Sequence, residues 1–135
     1  MKALKIDHLG IAVKSIEEAR RFFHDVLGLT LQANEVVEKQ GVRTEFLELG
    51  QSTLELMEPI TPDNPVSRHL AKFGPGIQHL AIEVDDLDAA CNELREKGVW
   101  VINQEPAAGA RSKKVIFVHP VSASGVIVEL VQDRD

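Results

Sequence analysis

One phrase occurs twice in this chain of 135 residues: His8-Leu9-Gly10-Ile11-Ala12-Val13, and, 71 positions later, His79-Leu80-Ala81-Ile82-Glu83-Val84. The same offset of 71 joins Val13 to Val84, Ile16 to Leu87, Ala19 to Ala90 and Phe46 to Phe117. Solenoids stack several short units, whereas two long copies in register predict a duplicated half-domain around one core. A content of 44% hydrophobic residues is enough to build such a core without covalent staples. The second copy carries three extra residues between its Phe and its closing Glu (129 minus 117 is 12; 55 minus 46 is 9), which a longer turn around Pro120 to Gly125 absorbs. The chain reads as one domain, 1–135, with modules at about 4–60 and 76–132 and a connector at 61–75.

Apolar periodicity gives both copies the same outline. Residues 5–13 alternate as a strand. Ser15 with Glu18 forms a capping box for a helix whose apolar face is Ile16, Ala19, Phe22, Phe23 and Val26, with Gly28 as its stop. Strands follow at 29–38, 42–49 and 53–58, the last two joined through Gly50-Gln51-Ser52. The second copy repeats this with a strand at 77–84, a helix bearing Leu87, Ala90, Cys91 and Leu94, a stop at Gly98, and strands near 99–103, 114–119 and 126–131. Each module is therefore βαβββ, an α+β pattern, and a short helix is expected at 66–73 in the connector.

The duplication turns His8, Glu55, His79 and Glu129 into two copies of one His/Glu pair. Imidazole and carboxylate are the ligand types of a divalent transition ion, and four of them leave about two positions open in an octahedral site. Glu129 lies in Val126-Ile127-Val128-Glu129-Leu130-Val131, where burying a carboxylate is costly unless it is paired or metal-bound. The alternative for each residue singly is a polar position on a half-exposed strand.

Composition narrows the partners. A net charge of -6 opposes non-specific binding to nucleic acid. No apolar run reaches the roughly 18 residues of a membrane span. The single Cys91 excludes an intrachain disulfide, and the first residues carry no signal-like segment, so the expected location is the cytoplasm.

The βαβββ duplication with a His on each first strand and a Glu on each last strand resembles the vicinal-oxygen-chelate, or glyoxalase-like, superfamily. The resemblance implies a cup-shaped mixed sheet with helices outside and one metal held by all four residues. More detailed motifs resemble the methylmalonyl-CoA epimerases within it: Asp7-His8-Leu9-Gly10-Ile11-Ala12-Val13, Leu54-Glu55-Leu56-Met57-Glu58-Pro59, Pro65-Val66-Ser67-Arg68-His69-Leu70, Gln78-His79-Leu80-Ala81-Ile82-Glu83-Val84, and Val118-His119-Pro120 ahead of Gly125-Val126-Ile127-Val128-Glu129-Leu130. That resemblance implies epimerisation of the two enantiomers of methylmalonyl-CoA by α-proton abstraction, a small-molecule acyl-CoA substrate and a homodimer. The metal expected is cobalt first, with nickel, manganese or zinc as alternatives.

The resemblance implies that Glu129 serves as both ligand and base. The partner carboxylate usually falls three residues after the glycine equivalent to Gly41, where this chain has Thr44 with Glu45 beside it. Glu45 is the expected second base, although a shift of one residue turns a side chain to the other face unless a bulge intervenes; Glu48 shares the parity of Thr44 farther along. The rival readings are a lactoylglutathione lyase of the glyoxalase I type and a non-catalytic small-molecule binder. The first lacks its usual arginine, replaced by Ala12, and the second has no need of the ligand set. Arg111, Lys113 and Lys114 form a basic cluster that suits either the phosphates of coenzyme A or a solvated loop, with Ser122 and Ser124 as further hydrogen-bonding candidates. The Lys that many of these enzymes carry after His-Pro is Val121 here. His119 reads as a turn or core residue rather than a ligand, Cys91 as packing and Trp100 as core or interface.

Overall fold

The structure, a computed structural model, describes residues 1–133, the side chain of Ser112 excepted. Two compact units emerge. One spans His8–Gln78, and the other joins Met1–Asp7 to the chain from His79 onward.

The first unit takes β1 from His8 on (β1 is Ala3–Ala12), α1 (Ile16–Arg20), β2 (Thr30–Val37), β3 (Val42–Leu49), β4 (Ser52–Pro59) and α2 (Pro65–Phe73). Its sheet runs β2-β3-β4-β1, with β1 parallel to β4 and the other pairs antiparallel. The second unit holds β5 (Gly76–Val84) from His79 on, α3 (Leu87–Glu96), β6 (Ala107–Ala108), β7 (Lys113–Val118) and β8 (Val128–Asp133). Its order is β5-β8-β7-β6, with β5 parallel to β8. Parallel pairs need a crossover, and α1 and α3 begin those crossovers in the two units.

The helix starts repeat down to single hydrogen bonds. The Ser15 hydroxyl accepts from the Glu18 amide at 3.2 Å, and the Asp86 carboxylate accepts from the Ala89 amide at 3.0 Å. A second cap comes from the last strand of each module: the Ile16 amide donates to Glu58 at 2.8 Å and the Leu87 amide to Gln132 at 2.7 Å. Ile16 and Leu87 are 71 apart, and Glu58 and Gln132 each stand three residues after Glu55 and Glu129. Beyond Arg20 the first helix widens into a π-helical stretch, Arg21–Val26, in which the Leu27 amide reaches the Phe22 carbonyl at 2.9 Å.

One face of each sheet is sealed by its helix. In the first unit Leu47, Leu54 and Leu56 pack with Val13, Ile16, Ala19 and Phe23. In the second, Val84, Leu87, Ala90, Cys91, Ile116, Val118 and Leu130 form the counterpart. Each such aliphatic side chain removed from water contributes about 1.5–3 kcal/mol, and because strand residues alternate, this packing commits the intervening positions to the other face.

Three features depart from the sequence expectation. The stretch 99–103 forms only an isolated bridge, Val101 with Val118. The Asn103 side chain takes over the ladder there: its Oδ1 accepts from the Phe117 amide at 2.8 Å and its Nδ2 donates to the Val115 carbonyl at 3.1 Å. Residues 1–7 lie with the second unit rather than the first, tied by the amino terminus to Glu93 at 3.0 Å and the Lys2 amide to Asp85 at 2.7 Å. The helix α2 is no mere connector. Asn64 caps it through the Ser67 amide at 2.9 Å, and Val66 and Leu70 pack on Ala12, Val42 and Met57 of the first unit.

Candidate functional site

Sheet register explains why each Glu meets its His. In the first unit Glu55 stands beside Gly10 on β1 and opposite Phe46 on β3. In the second, Glu129 stands beside Ala81 on β5 and opposite Phe117 on β7. Gly10 and Ala81, like Phe46 and Phe117, are 71 apart, so the two glutamates hold equivalent places on the faces their helices leave uncovered. The His two residues before the small neighbour shares that face. His8 Nε2 lies 3.4 Å from Glu55 Oε1, and His79 Nε2 lies 2.5 Å from Glu129 Oε2. Gly10 and Ala81, the strand neighbours of the two glutamates, are both small residues.

All four side chains are largely shielded from water, the histidines and Glu55 being buried and Glu129 mostly so. A carboxylate in such surroundings is costly unless a cation or strong donor faces it. Imidazole nitrogen with carboxylate oxygen is a donor set that suits a borderline divalent ion, and each unit supplies one such pair. The chemistry of the residues therefore fits a metal.

Glu45 occupies a different environment. It pairs with Leu56, while its neighbour Phe46 pairs with Glu55, so Glu45 projects to the helix-covered face, across the sheet from Glu55. There Arg20 of α1 grips it with Nε and Nη2 at 2.9 and 2.8 Å, and Asn34 Nδ2 approaches at 3.4 Å. The hydrogen bond to Glu45, with its charge, holds the Arg20 guanidinium above its ordinary pKa. No bulge interrupts the β3–β4 register from Val42 to Leu49 that would return Glu45 to the other face. Glu45, the expected second base, thus stands in an ion pair with Arg20 on the face away from Glu55. Among β3 residues on the Glu55 face, Thr44 is buried, Phe46 is apolar and Glu48 is an exposed carboxylate. Glu48 pairs with Thr53, which in turn pairs with His8.

The expected phosphate-binding cluster is also rearranged. Arg111 Nη2 contacts buried Asp7 at 2.8 Å, and Lys113 Nζ contacts Asp7 at 3.2 Å and Asp133 at 2.7 Å. Burial pulls the Lys113 ammonium down, but hydrogen bonds and charge from Asp133 and Asp7 outweigh it and hold the pKa above its ordinary value. Two of the three cations thus neutralise an acidic residue next to His8 instead of forming an open anion site. Lys114 points to the opposite side of β7, being paired with Gln132 and Ala108. The Ser122 hydroxyl accepts from the Trp100 amide at 2.9 Å, and Ser124 is an exposed turn residue with φ of 56°. Of the two places its sequence context allows, turn or core, His119 takes the turn: its Nδ1 accepts from the Val121 amide at 3.0 Å. Cys91 is buried in the α3 core. Trp100 is not core: it is 56% exposed and lies flat on the His119 ring.

Comparison with known proteins agrees with this architecture. The profile of the glyoxalase/bleomycin resistance protein/dioxygenase superfamily matches residues 7–117. Bacillus subtilis YqjC, an uncharacterized protein, is 41% identical, covering 96% of this chain and 93% of that protein. The mitochondrial methylmalonyl-CoA epimerase of Mus musculus is 39% identical, covering 95% of this chain and 72% of that one. Among solved structures, Streptomyces coelicolor methylmalonyl-CoA epimerase in complex with 2-nitronate-propionyl-CoA superposes with a TM-score of 0.94 at 36% identity, covering 99% of this chain and 100% of that one. The chain belongs to the glyoxalase/bleomycin resistance protein/dioxygenase superfamily and has its α+β fold of paired βαβββ modules. Within it, the resemblance to the methylmalonyl-CoA epimerases read from the motifs holds over nearly the whole length.

Proposed function

We propose that this chain is a metal-dependent methylmalonyl-CoA epimerase, a single glyoxalase-like domain acting in the cytoplasm as a homodimer. The observation that carries the reading is the repeated register: Glu55 and Glu129 each sit between a small residue and a phenylalanine, with a His in contact. We assign His8, Glu55, His79 and Glu129 as ligands of a single divalent ion, cobalt before nickel, manganese or zinc. Bound there, the ion would stabilise the negative charge that develops on substrate oxygens when the C2 proton leaves.

The C2 hydrogen of methylmalonyl-CoA lies between a thioester and a carboxylate, which makes its removal feasible for a carboxylate base. Glu129 takes that proton in this reading. Glu129, paired with Phe117, is mostly shielded from water, which strengthens its electrostatic interactions. Inversion needs delivery from the other side of the carbon. On β3 the ionisable residue on the Glu55 face is Glu48, and we assign it the second proton in place of Glu45.

The test is deuterium exchange at C2 of one methylmalonyl-CoA enantiomer in D₂O, with and without chelator. Exchange and racemisation that stop with chelator and return with metal support the reading. Turnover of the methylglyoxal–glutathione adduct alone would replace it with the lactoylglutathione lyase, and binding without turnover of either would leave a small-molecule carrier.

A further inference from the structure

We infer that Trp100, laid on His119, is a stacking platform for the adenine ring of the CoA substrate; this rests on the acyl-CoA reading and adds the subsite that holds the nucleotide end. The platform shares a face with the His79/Glu129 pair. Phe117 pairs with Glu129, and the Val101–Val118 bridge extends the register so that Ile102 faces Phe117 and Trp100 faces His119. Val101 and Val118 go to the α3 core, which commits Trp100, Ile102, Phe117 and His119 to the opposite side. Moving outward from Glu129, a ligand therefore crosses Phe117 and then meets exposed Ile102 and Trp100, two strand spacings away, on the order of 10 Å. The pantetheine arm of a CoA thioester is longer than that span.

The rings are held in place before any ligand arrives. Trp100 and His119 stack with centroids 3.9 Å apart and planes inclined by 5°. The Val121 amide donates to His119 Nδ1 at 3.0 Å, which makes that nitrogen an acceptor, and Ser122 Oγ holds the Trp100 amide at 2.9 Å. His119 covers one indole face, and the 56% exposure of Trp100 leaves the other open. Exposed Val121 and Val126 border the same turn. A fixed, open indole face with apolar neighbours suits a flat heteroaromatic ring.

Trp100 is the only tryptophan and the chain has no tyrosine, so intrinsic fluorescence reports this one residue. The metal-loaded protein is titrated with coenzyme A, with adenosine 3′,5′-bisphosphate and with pantetheine. Quenching by the first two and none by pantetheine is expected. In turnover, Trp100→Leu should raise the KM for methylmalonyl-CoA about five- to a hundredfold with kcat unchanged, and Trp100→Phe should restore most of the loss. Circular dichroism of both variants checks the fold. Quenching by pantetheine as strong as by coenzyme A, or an unchanged KM in Trp100→Leu, overturns the platform while leaving epimerisation standing. Fluorescence that changes with protein concentration and not with nucleotide would assign the face to a second copy of the chain and equally overturn it. Nucleotide quenching in a protein that fails to epimerise would reject the reaction and keep the platform.

Discussion

Arg20 holds Glu45 by two hydrogen bonds, from Nε at 2.9 Å and from Nη2 at 2.8 Å, on the face of the sheet away from Glu55. Glu45→Gln should therefore lower stability by about 1–3 kcal/mol, the usual worth of a hydrogen bond to a charged group, and leave C2 exchange within about twofold of the parent. Denaturant unfolding and the D₂O assay read the two effects separately. In the same assay Glu48→Gln should slow racemisation at least about a hundredfold, the lower end of what general acid-base catalysis supplies. A hundredfold loss in Glu45→Gln with an unaltered fold would restore it to the mechanism.

His79 and Glu129 are a contacting pair, as are His8 and Glu55. The proposal of one shared ion predicts close to one divalent metal per chain, with His8→Ala and His79→Ala each stripping it. Elemental analysis of purified protein measures this. Two ions per chain, or a variant that retains one, would separate the pairs into independent sites.

Asp7 is buried against Arg111 and Lys113. Asp7→Asn removes the shared counter-charge and should cost about 3 kcal/mol or more, because two shielded cations lose it together. Lys113 is held above its ordinary pKa, so its contribution is whole below about pH 10 and disappears as pH rises through the elevated value. Melting temperature followed upward from pH 9 should fall less steeply in Asp7→Asn than in the parent.

The Lys2 amide bonded to Asp85, aided by the Asp86 amide and the amino terminus, holds the Asp85 carboxyl below its ordinary range. A depressed carboxylate stabilises the fold above about pH 4 and loses that effect as pH falls through its native value. Asp85→Asn should flatten the stability curve between about pH 5 and pH 3. Hydrogen exchange at residues 1–7 provides a local readout.

Gly41 has φ of 68°, and a Cβ built there would lie 2.2 Å from Thr61 Oγ1. Its carbonyl also accepts from Asn64 Nδ2 at 3.1 Å. Gly41→Ala combines left-handed strain with a collision and should cost about 1–3 kcal/mol, seen as a lower urea midpoint.

The chain itself determined the repeat, and with it the module order, the capped helices and the four metal-ligand candidates, since an offset of 71 and a period of two are both properties of residue order. Ser15 and Gly28 mark a helix wherever it lies. Register and side-chain partners across strands were not written there. Whether Glu45 or Glu48 faced Glu55 turned on an unbroken β3–β4 ladder, and Arg20, 25 residues away, became its counter-ion only once α1 lay over the sheet. Arg111 and Lys113 looked like an open basic cluster until β1 delivered Asp7 from more than a hundred residues away. Trp100 could have been core or interface, and only the fold decided: Val101 took the inward position and turned the indole outward onto His119. Local order sets what a residue prefers; which face it occupies and which charge it meets are decided by contacts between segments far apart in the chain, and only the folded sheet creates those contacts.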